Sequence, residues 1–312
     1  MRGMIVAAGL GTRMRPLSDL RPKPALPIRG VPLVAYQLAL LARHAVTEVV
    51  INVHHKPDVL IEAARTFQPE GMQLEFSVEE ELLDTGGGIR RAADFLRESD
   101  PCVVIGGDML LDADLSQLVG VHRARGDAFS MLLLDDDRSK DFGSVGVDQD
   151  GRVRRIGRRF DLGGETRSGI YVWANVIAAR AFDTLPNRDV FSHLDHWIAP
   201  LLEAGARDIR GEVVTAQRCC WIPVGTPAQY LAANLETPSL SYLDAESLSP
   251  PPGTRIEHDV ILGAGATLGA GARLRRAVVW ENEAVPAGLT ASDGVFAGGT
   301  FHRCRKGTEG SQ

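Results

Sequence analysis

The sequence predicts an α/β protein with a Rossmann-like, mostly parallel sheet that carries helices on both faces, followed by a short left-handed β-helix near the C-terminal end. Two observations predict the first part. Apolar runs of strand length alternate with segments of helical spacing, and glycine-rich turns follow three of these runs. A third observation, an apolar residue at every sixth position near the C-terminal end, predicts the β-helix.

The alternation can be followed element by element from the N-terminal end. The predicted strands of the first part are Met4–Ala8, Glu48–Val53, Leu74–Val78 and Cys102–Ile105. The predicted helices between them are Pro32–Ala45, Asp58–Phe67 and Ile89–Arg97. Since this order makes the strands parallel, we expect ligands at their carboxyl ends. The following part is more mixed, with predicted strands at Ala128–Leu134 and Phe142–Val147 and a hairpin turn at Asp150-Gly151.

Composition and charge limit the class of protein. The chain has 312 residues, of which 44% are hydrophobic and 24% charged, as in an ordinary globular protein with a large domain and a small one. The net charge of −6 argues against a nucleic-acid partner. No apolar run approaches the roughly 18 residues of a membrane span, and the first strand begins at once, so we expect a cytoplasmic protein without a membrane partner. The four cysteines lack disulfide-framework spacing and indicate reduced thiols.

A glycine turn after the first strand carries the strongest chemical signal. Gly9 and Gly11 let backbone amides approach an anion closely. Thr12 adds a hydroxyl group, while Arg13 and Lys23 add positive charge, which together suit a polyphosphate. The spacing differs both from the dinucleotide-binding fingerprint, which needs a third glycine, and from the Walker loop, which needs Gly-Lys-Ser/Thr.

The complete string reads Gly9-Leu10-Gly11-Thr12-Arg13-Met14-Arg15-Pro16, followed by Arg21-Pro22-Lys23-Pro24. It resembles the signature of the sugar-1-phosphate nucleotidylyltransferases, including mannose-1-phosphate guanylyltransferase-like and N-acetylmuramate-1-phosphate uridylyltransferase-like members. The resemblance implies an enzyme that makes an NDP-sugar and pyrophosphate from a nucleoside triphosphate and a sugar 1-phosphate, with Mg²⁺ as cofactor. It further implies that Ala8 and the loop from Gly9 to Arg13 hold the triphosphate. Arg13 and Lys23 would then stabilise the charge as pyrophosphate leaves.

A second glycine-rich segment follows the predicted strand Leu74–Val78. It runs Glu79-Glu80-Glu81-Leu82-Leu83-Asp84-Thr85-Gly86-Gly87-Gly88, and its backbone amides are predicted to face a flat or anionic ligand. The resemblance implies that this stretch lies against the nucleobase, with Glu79, Thr85 and Gly86 among the nucleotide contacts. Many relatives have glycine where Asp84 stands, and the segment looks like that of guanylyl- and uridylyl-transferring members. The nucleobase therefore stays open.

Gly106-Gly107-Asp108 follows the predicted strand Cys102–Ile105. A carboxylate beside phosphates suits Mg²⁺, which prefers a few hard oxygen ligands and several waters. The alternative is that this aspartate only forms a turn. The resemblance makes Asp108 a catalytic, metal-binding residue and Gly107 a nucleotide contact.

The resemblance also implies sugar-phosphate contacts from Gly143, Arg159, Ser168 and Gly169, but it weakens in this region. The family's Glu-Lys-Pro falls on Arg158-Arg159-Phe160, so an acceptor of sugar hydroxyls is missing there. The stretch Trp221-Ile222-Pro223-Val224-Gly225-Thr226-Pro227 has proline in place of the family's second metal-binding aspartate. These departures keep an alternative open: a catalytically weak or silent relative that binds a sugar nucleotide and regulates a partner.

Two histidines, His193 and His196, are spaced three apart on a helical pattern. They could ligate a metal, but without a third ligand a surface helix is the favoured interpretation.

The predicted domain division is 1–236 for the nucleotidyltransferase domain, 237–253 for a proline-rich linker, 254–302 for the hexapeptide β-helix and 303–312 for a frayed end. The residues in six-residue register are Ile256, Leu262, Leu268, Leu274 and Trp280. They supply only about two coils of β-helix, which is too little to stand alone. The tail should therefore pack on the first domain or, in a homo-oligomer, on another subunit.

Overall fold

The computed structural model describes residues 1–236, 239–242, 248–257 and 259–304. Its strands, in chain order, are β1 Arg2–Val6, β2 Pro27–Ile28, β3 Val31–Pro32, β4 Glu48–Val53, β5 Gln73–Val78, β6 Cys102–Gly106, β7 Met109–Ala113, β8 Phe129–Asp135, β9 Val145–Val147, β10 Val153–Ile156, β11 Phe160–Asp161, β12 Arg167–Ile177, β13 Ile209–Thr215, β14 Cys219–Pro223, β15 Arg255–Ile256, β16 Val260–Leu262, β17 Thr267–Leu268, β18 Arg273–Val279, β19 Ala284–Val285, β20 Thr290–Ala297 and β21 Thr300–Arg303.

The α-helices are short and lie between the strands. They are α1 Leu17–Leu20, α2 Leu33–Arg43, α3 Pro57–Thr66, α4 Asp84–Arg91, α5 Ala93–Leu96, α6 Leu115–Arg125, α7 Ser139–Phe142, α8 Ala199–Glu203 and α9 Pro227–Leu235. Turns of 3-10 helix occur at Thr12–Met14, Lys23–Ala25 and Ala179–Thr184, and a π-helical turn spans Leu194–Ile198. In the part of the chain that the structure describes, no helix has the length and apolarity needed to cross a membrane.

A ten-stranded mixed sheet forms the centre of the protein, and its parallel part confirms the predicted α/β architecture. The main path runs β11-β10-β9-β12-β6-β1-β4-β5, with β8 and β13 branching from β12. Strand β1 pairs in parallel with both β4 and β6, and β4 pairs in parallel with β5. The carboxyl ends of these four strands therefore meet at one edge of the sheet, where parallel sheets bind ligands.

Helices cover both faces of this sheet because its central strands are apolar on both sides. Ile5 of β1 packs in a cluster that includes the buried residues of α2, whereas the next residue back, Met4, packs on the opposite face with Ile89 of α4. Successive side chains of a strand point to opposite faces, which is why neighbouring residues enter different cores.

Several predicted boundaries differ from the structure, and two of these differences concern the predicted site residues. Helix α4 begins at Asp84, so the three glycines after Thr85 lie inside the helix and not in a loop before it. A Cβ atom at Gly86 would lie 2.3 Å from the Phe191 ring, so glycine allows this close packing. Second, the predicted strand Phe142–Val147 contains the end of α7 and then β9, with Gly143 at φ +73° between them.

Several C-terminal strands pair in parallel with partners 17 residues further along the chain, as in the pairs Val260–Ala277 and Ala277–Gly294. This spacing is close to the length of three hexads, about 18 residues. A left-handed β-helix in this segment stays a prediction. Within the register predicted from sequence, Leu262 and Trp280 are buried, but Ile256 and Leu268 are exposed.

The tail packs on the first domain, one of the two alternatives predicted. Trp280 belongs to the same apolar cluster as Ile5, and its indole N–H donates to the Tyr230 hydroxyl at 3.0 Å. Arg21 forms an ion pair with Glu281 and lies over the Trp280 ring at 4.7 Å. The tail therefore covers the segment that leads into Lys23.

Of the predicted linker, residues 239–242 and 248–253 are described, and Leu240 is buried in the main core. Strand β21 includes Arg303, and Cys304 is buried. The rest of the predicted frayed end, 305–312, lies outside the described residues.

Candidate functional site

A cavity of about 220 Å³, called the first cavity here, opens at the carboxyl ends of β1, β5 and β6. It brings together residues from all three glycine-rich segments found in the sequence. Those among its lining residues that were predicted to contact nucleotide or metal are Ala8, Gly9, Gly11, Lys23, Thr85, Gly107 and Asp108. Residues more than 90 positions apart in the chain thus meet at one sheet edge, as the parallel topology requires.

Backbone geometry explains why glycine stands at two positions in the wall of this cavity. Gly11 has φ +63°, in the left-handed region that glycine adopts without steric cost. A Cβ atom at Gly107 would lie 2.9 Å from the carbonyl oxygen of Val6, so glycine is required for β1 and the turn after β6 to approach each other. These turns leave room for a ligand against the main chain.

Lys23 and Asp108 form the charged centre of the site. The Lys23 ammonium group lies 3.1 Å from a carboxylate oxygen of Asp108. Lys23 is only 9% exposed, whereas the Asp108 side chain is 48% exposed. The lysine is therefore held in place by its surroundings, while the carboxylate remains open to a cation or a substrate.

A buried hydrogen-bonded pair, with Asn52 on the wall of the first cavity and Glu79 beneath it, fixes the position of the glycine turn. The Asn52 carboxamide accepts from the Ala7 amide at 2.7 Å and donates to Glu79 at 2.7 Å. Glu79 also accepts from the Leu83 amide at 3.1 Å and is 2% exposed. The structure thus places Glu79 beneath the cavity and not on its wall. Asn52 was missed from the sequence, although a polar residue inside a β-branched strand is a usable signal.

The second glycine-rich segment contributes less backbone to the cavity than expected. The amides of Gly86 and Gly87 donate to the Phe191 carbonyl at 2.8 and 3.2 Å, so they point away from a ligand. Asp84 has φ +59°, a conformation that favours glycine. Its carboxylate accepts from the Thr85 amide at 2.6 Å.

A second cavity, of about 340 Å³, adjoins the first, and Asp108 and Trp173 line both. Two predicted site residues line this second cavity alone, namely Arg13 and Gly143. Pro223 also lies on its wall, which places the most important sequence departure beside the metal-binding candidate.

Aromatic side chains form much of the second cavity. Phe142 packs edge-on against Trp221 at 4.9 Å, and Tyr171 lies 5.4 Å from Trp173. Trp173 has φ +54° and occupies an irregularity of β12 between Tyr171 and Asn175. A left-handed conformation is unusual for so bulky a residue and occurs where the surroundings enforce it, often at functional sites. Trp173 was missed because no local pattern marks it.

Besides Glu79 and Gly86, four further predicted contacts lie away from the walls of both cavities. Ser168 lines a separate cleft with Glu165 and Arg167. Gly169 is buried against β8, where a Cβ atom would lie 2.9 Å from the Leu134 carbonyl oxygen. The remaining two are Arg159, whose side chain is 82% exposed, and Thr12, which is exposed.

The candidate metal ligand is a single carboxylate, Asp108. Among the described residues, no group of three or more histidine, cysteine or acidic side chains is placed to hold a metal ion. Asp108 is half exposed at the junction of the two cavities, which fits a single ligand to a cation bound mainly by substrate. His193 and His196 do not form a site: His193 is buried, and the predicted surface helix is wrong for this residue.

A family model described as Nucleotidyl transferase matches residues 2–239. The chain belongs to this family. The match confirms the resemblance to sugar-1-phosphate nucleotidylyltransferases inferred from the sequence, and it ends just after α9, before the tail strands.

Curated relatives agree with this assignment. A mannose-1-phosphate guanylyltransferase of Mycobacterium tuberculosis is 30% identical over 300 residues, which cover 91% of this chain and 81% of that protein. A mannose-1-phosphate guanyltransferase of Candida albicans is 33% identical over 152 residues, covering 48% of this chain and 42% of the relative. The match thus spans less than half of the fungal protein.

Solved structures show the same fold. The structure of HddC from Yersinia pseudotuberculosis complexed with GMP-PN has a TM-score of 0.60 and 25% identity, covering 75% of this chain and 97% of that one. A putative glucose-1-phosphate thymidylyltransferase from Bacillus anthracis has a TM-score of 0.59 at 19% identity, covering 75% and 94% of the two chains. This second likeness concerns the fold alone.

Proposed function

We propose that the protein transfers a nucleotidyl group from a nucleoside triphosphate to a sugar 1-phosphate and releases pyrophosphate. GTP is the first donor to test, because the curated relatives include mannose-1-phosphate guanylyltransferases and a solved neighbour is complexed with GMP-PN. The observation that carries the proposal is the Lys23–Asp108 pair, which lies where two cavities meet.

In this proposal the triphosphate lies in the first cavity and the sugar 1-phosphate in the second. A phosphate oxygen of the sugar attacks the α-phosphorus in line, an oxygen–phosphorus bond forms, and the bond to the leaving pyrophosphate breaks. Arg13 and Lys23 stabilise the negative charge, and the glycine turn after β1 holds the triphosphate. Magnesium, held by Asp108 together with phosphate oxygens and waters, would neutralise further charge.

Pro223 supports a second candidate, a catalytically weak or silent protein that binds a sugar nucleotide and regulates a partner. Proline has no side-chain oxygen, and it stands on the wall of the second cavity near the only carboxylate that the described lining residues supply there. The paired Lys23 and Asp108 favour the enzyme, because a silent binder has no need of a buried lysine aimed at a metal-binding carboxylate.

A pyrophosphate-release screen separates the two candidates. Each common nucleoside triphosphate is combined with a panel of hexose 1-phosphates, in the presence of either Mg²⁺ or Mn²⁺. The enzyme proposal expects release that requires both substrates and a metal. Nucleotide binding without release for any pair would support the silent protein instead.

A further inference from the structure

We propose that His193 is a positioning residue that makes the Thr85 hydroxyl a hydrogen-bond donor to the nucleobase. Guanine and uracil carry a carbonyl group where adenine and cytosine carry an amino group, so this arrangement favours guanine and uracil. The inference rests on the proposed function, because it assumes that the nucleotide occupies the first cavity.

The imidazole ring of His193 is buried between the walls of the first and the second cavity. Its Nδ1 atom lies 2.9 Å from the Thr85 hydroxyl oxygen, and its Nε2 atom lies 3.1 Å from the Tyr171 hydroxyl oxygen. Thr85 lines the first cavity and Tyr171 the second. Burial lowers the pKa of His193 to about 3, so the ring is neutral and has one N–H donor and one acceptor nitrogen.

The Tyr171 hydroxyl decides which nitrogen carries the proton. It accepts a hydrogen bond from the Asn175 side-chain amide at 2.6 Å. The amide nitrogen faces Tyr171 because the same atom also lies 3.5 Å from the Val104 carbonyl oxygen. Within the described part of the chain, His193 is the other hydrogen-bond partner of this hydroxyl, and burial raises the pKa of Tyr171, so it keeps its proton. The Tyr171 O–H therefore donates to Nε2.

The consequence for Thr85 follows from the neutral ring. With Nε2 accepting, Nδ1 carries the hydrogen and donates to the Thr85 hydroxyl oxygen. The backbone N–H of His193 donates to the same oxygen at 3.1 Å. Both lone pairs of that oxygen are then occupied, so Thr85 can act toward a ligand only as a donor.

The neighbours of Thr85 point to the base as the recipient. The glycine turn and Lys23 occupy the β1 side of the first cavity and suit the phosphates. Thr85 lies in the segment after β5, beside the apolar side chain of Leu82, which suits a flat ring. An amino group facing the Thr85 hydroxyl would place two donors together without an acceptor, which is unfavourable where the bound base displaces water.

The test uses nucleotide pairs in which an amino group replaces a carbonyl group and the adjacent ring N–H becomes an acceptor nitrogen, and the variants below assign the effect to Thr85 and His193. Affinities are measured by calorimetry, without sugar phosphate, for GTP against 2,6-diaminopurine riboside triphosphate and for UTP against CTP. In each pair that binds, we expect the carbonyl-bearing base to bind at least about tenfold more tightly, which corresponds to about 1.4 kcal/mol. Equal affinities, or a preference for the amino-bearing base, would overturn the inference.

Variants test whether His193 is responsible. Thr85→Val should abolish the preference for the carbonyl-bearing base over the amino-bearing base. His193→Leu should reduce this preference to less than about threefold. His193→Gln should restore it, because an amide can accept from Tyr171 and donate to Thr85. His196→Gln is the matched control, since His196 is exposed on the same turn and should leave the preference unchanged.

The outcomes separate this inference from the proposed function. If His193→Leu and His193→Gln weaken all nucleotides equally and keep the preference, His193 has only a structural role and the inference is wrong. If the His193 variants do not fold, as judged by circular dichroism, Thr85→Val decides alone, since Thr85 is half-buried at a cavity wall. If no nucleotide binds the native protein, the proposed function fails and the inference fails with it.

Discussion

The two cavities meet at Asp108 and Trp173 but are built by different means. Glycine turns, backbone groups and a buried lysine form the first cavity. Strand and helix side chains form the second, and among its described lining residues Asp108 supplies the only carboxylate. Around the first cavity the glycine turns, Lys23 and Asp108 match the family motifs, although Asp84 stands where many relatives have glycine; on the wall of the second cavity, Pro223 stands where the family has its second metal-binding aspartate. Under the proposed function, we therefore expect the chain to hold a nucleotide in the family's manner and to differ from the family mainly in how it uses the second substrate.

The largest effect should come from the first cavity. Lys23→Ala should lower turnover by about 100- to 1,000-fold, or about 3–4 kcal/mol of barrier, because it removes a charge that stabilises the transition state. Pyrophosphate release measures the rate, and circular dichroism checks the fold. Arg15→Ala is the control from the same loop, since the Arg15 side chain is 62% exposed and pairs with Asp19. More than about a tenth of the native rate in Lys23→Ala would contradict the assignment.

A smaller effect, in the opposite direction, should come from the second cavity. Pro223→Asp should raise turnover by one to two orders of magnitude, or about 1.4–2.8 kcal/mol, because it adds a second carboxylate beside the metal. The native protein should turn over slowly, or should turn over faster with Mn²⁺ than with Mg²⁺. Pro223→Ala separates the loss of proline from the gain of a carboxylate and should leave the rate unchanged. Native turnover at an ordinary rate of about 1–100 s⁻¹, unaltered by Pro223→Asp, would show that another residue fills this role.

The same contrast explains what the sequence could predict. The parallel sheet and the first cavity were predictable because both depend on local patterns: alternating elements, and glycine turns at strand ends. The predicted strand Glu48–Val53 matches β4 at both ends. The aromatic wall was not predictable, because Phe142, Tyr171 and Trp221 lie far apart in the chain, on helix α7 and on strands of two different sheets, and meet only in the folded protein. His193 was misjudged because its spacing suits a surface helix, whereas its burial depends on Thr85 and Tyr171.

Arg159, which lies away from the walls of both cavities, should have the smallest effect. The Arg159 side chain is 82% exposed and pairs with Asp195 at 3.4 Å, so Arg159→Ala should change the KM for sugar 1-phosphate by less than about 1 kcal/mol, or roughly fivefold. Arg155→Ala provides the comparison. Arg155 donates to the Ser144 hydroxyl at 2.9 Å and to its carbonyl at 3.1 Å, so its loss should disturb the cavity wall more. A larger effect from Arg159→Ala would mean that this side chain closes onto the substrate.

The central claim, that the replacement of the family's aspartate by Pro223 affects only the second cavity, is tested most directly by calorimetry. Nucleotide affinity is measured with Mg²⁺ for the native protein and for Pro223→Asp, without sugar phosphate, beside the turnover of both. We expect nucleotide affinities equal within about threefold, while turnover differs by at least about tenfold. If the affinity for nucleotide changes by the same factor as turnover, Pro223 acts on the first cavity as well, and the division between the two cavities is wrong.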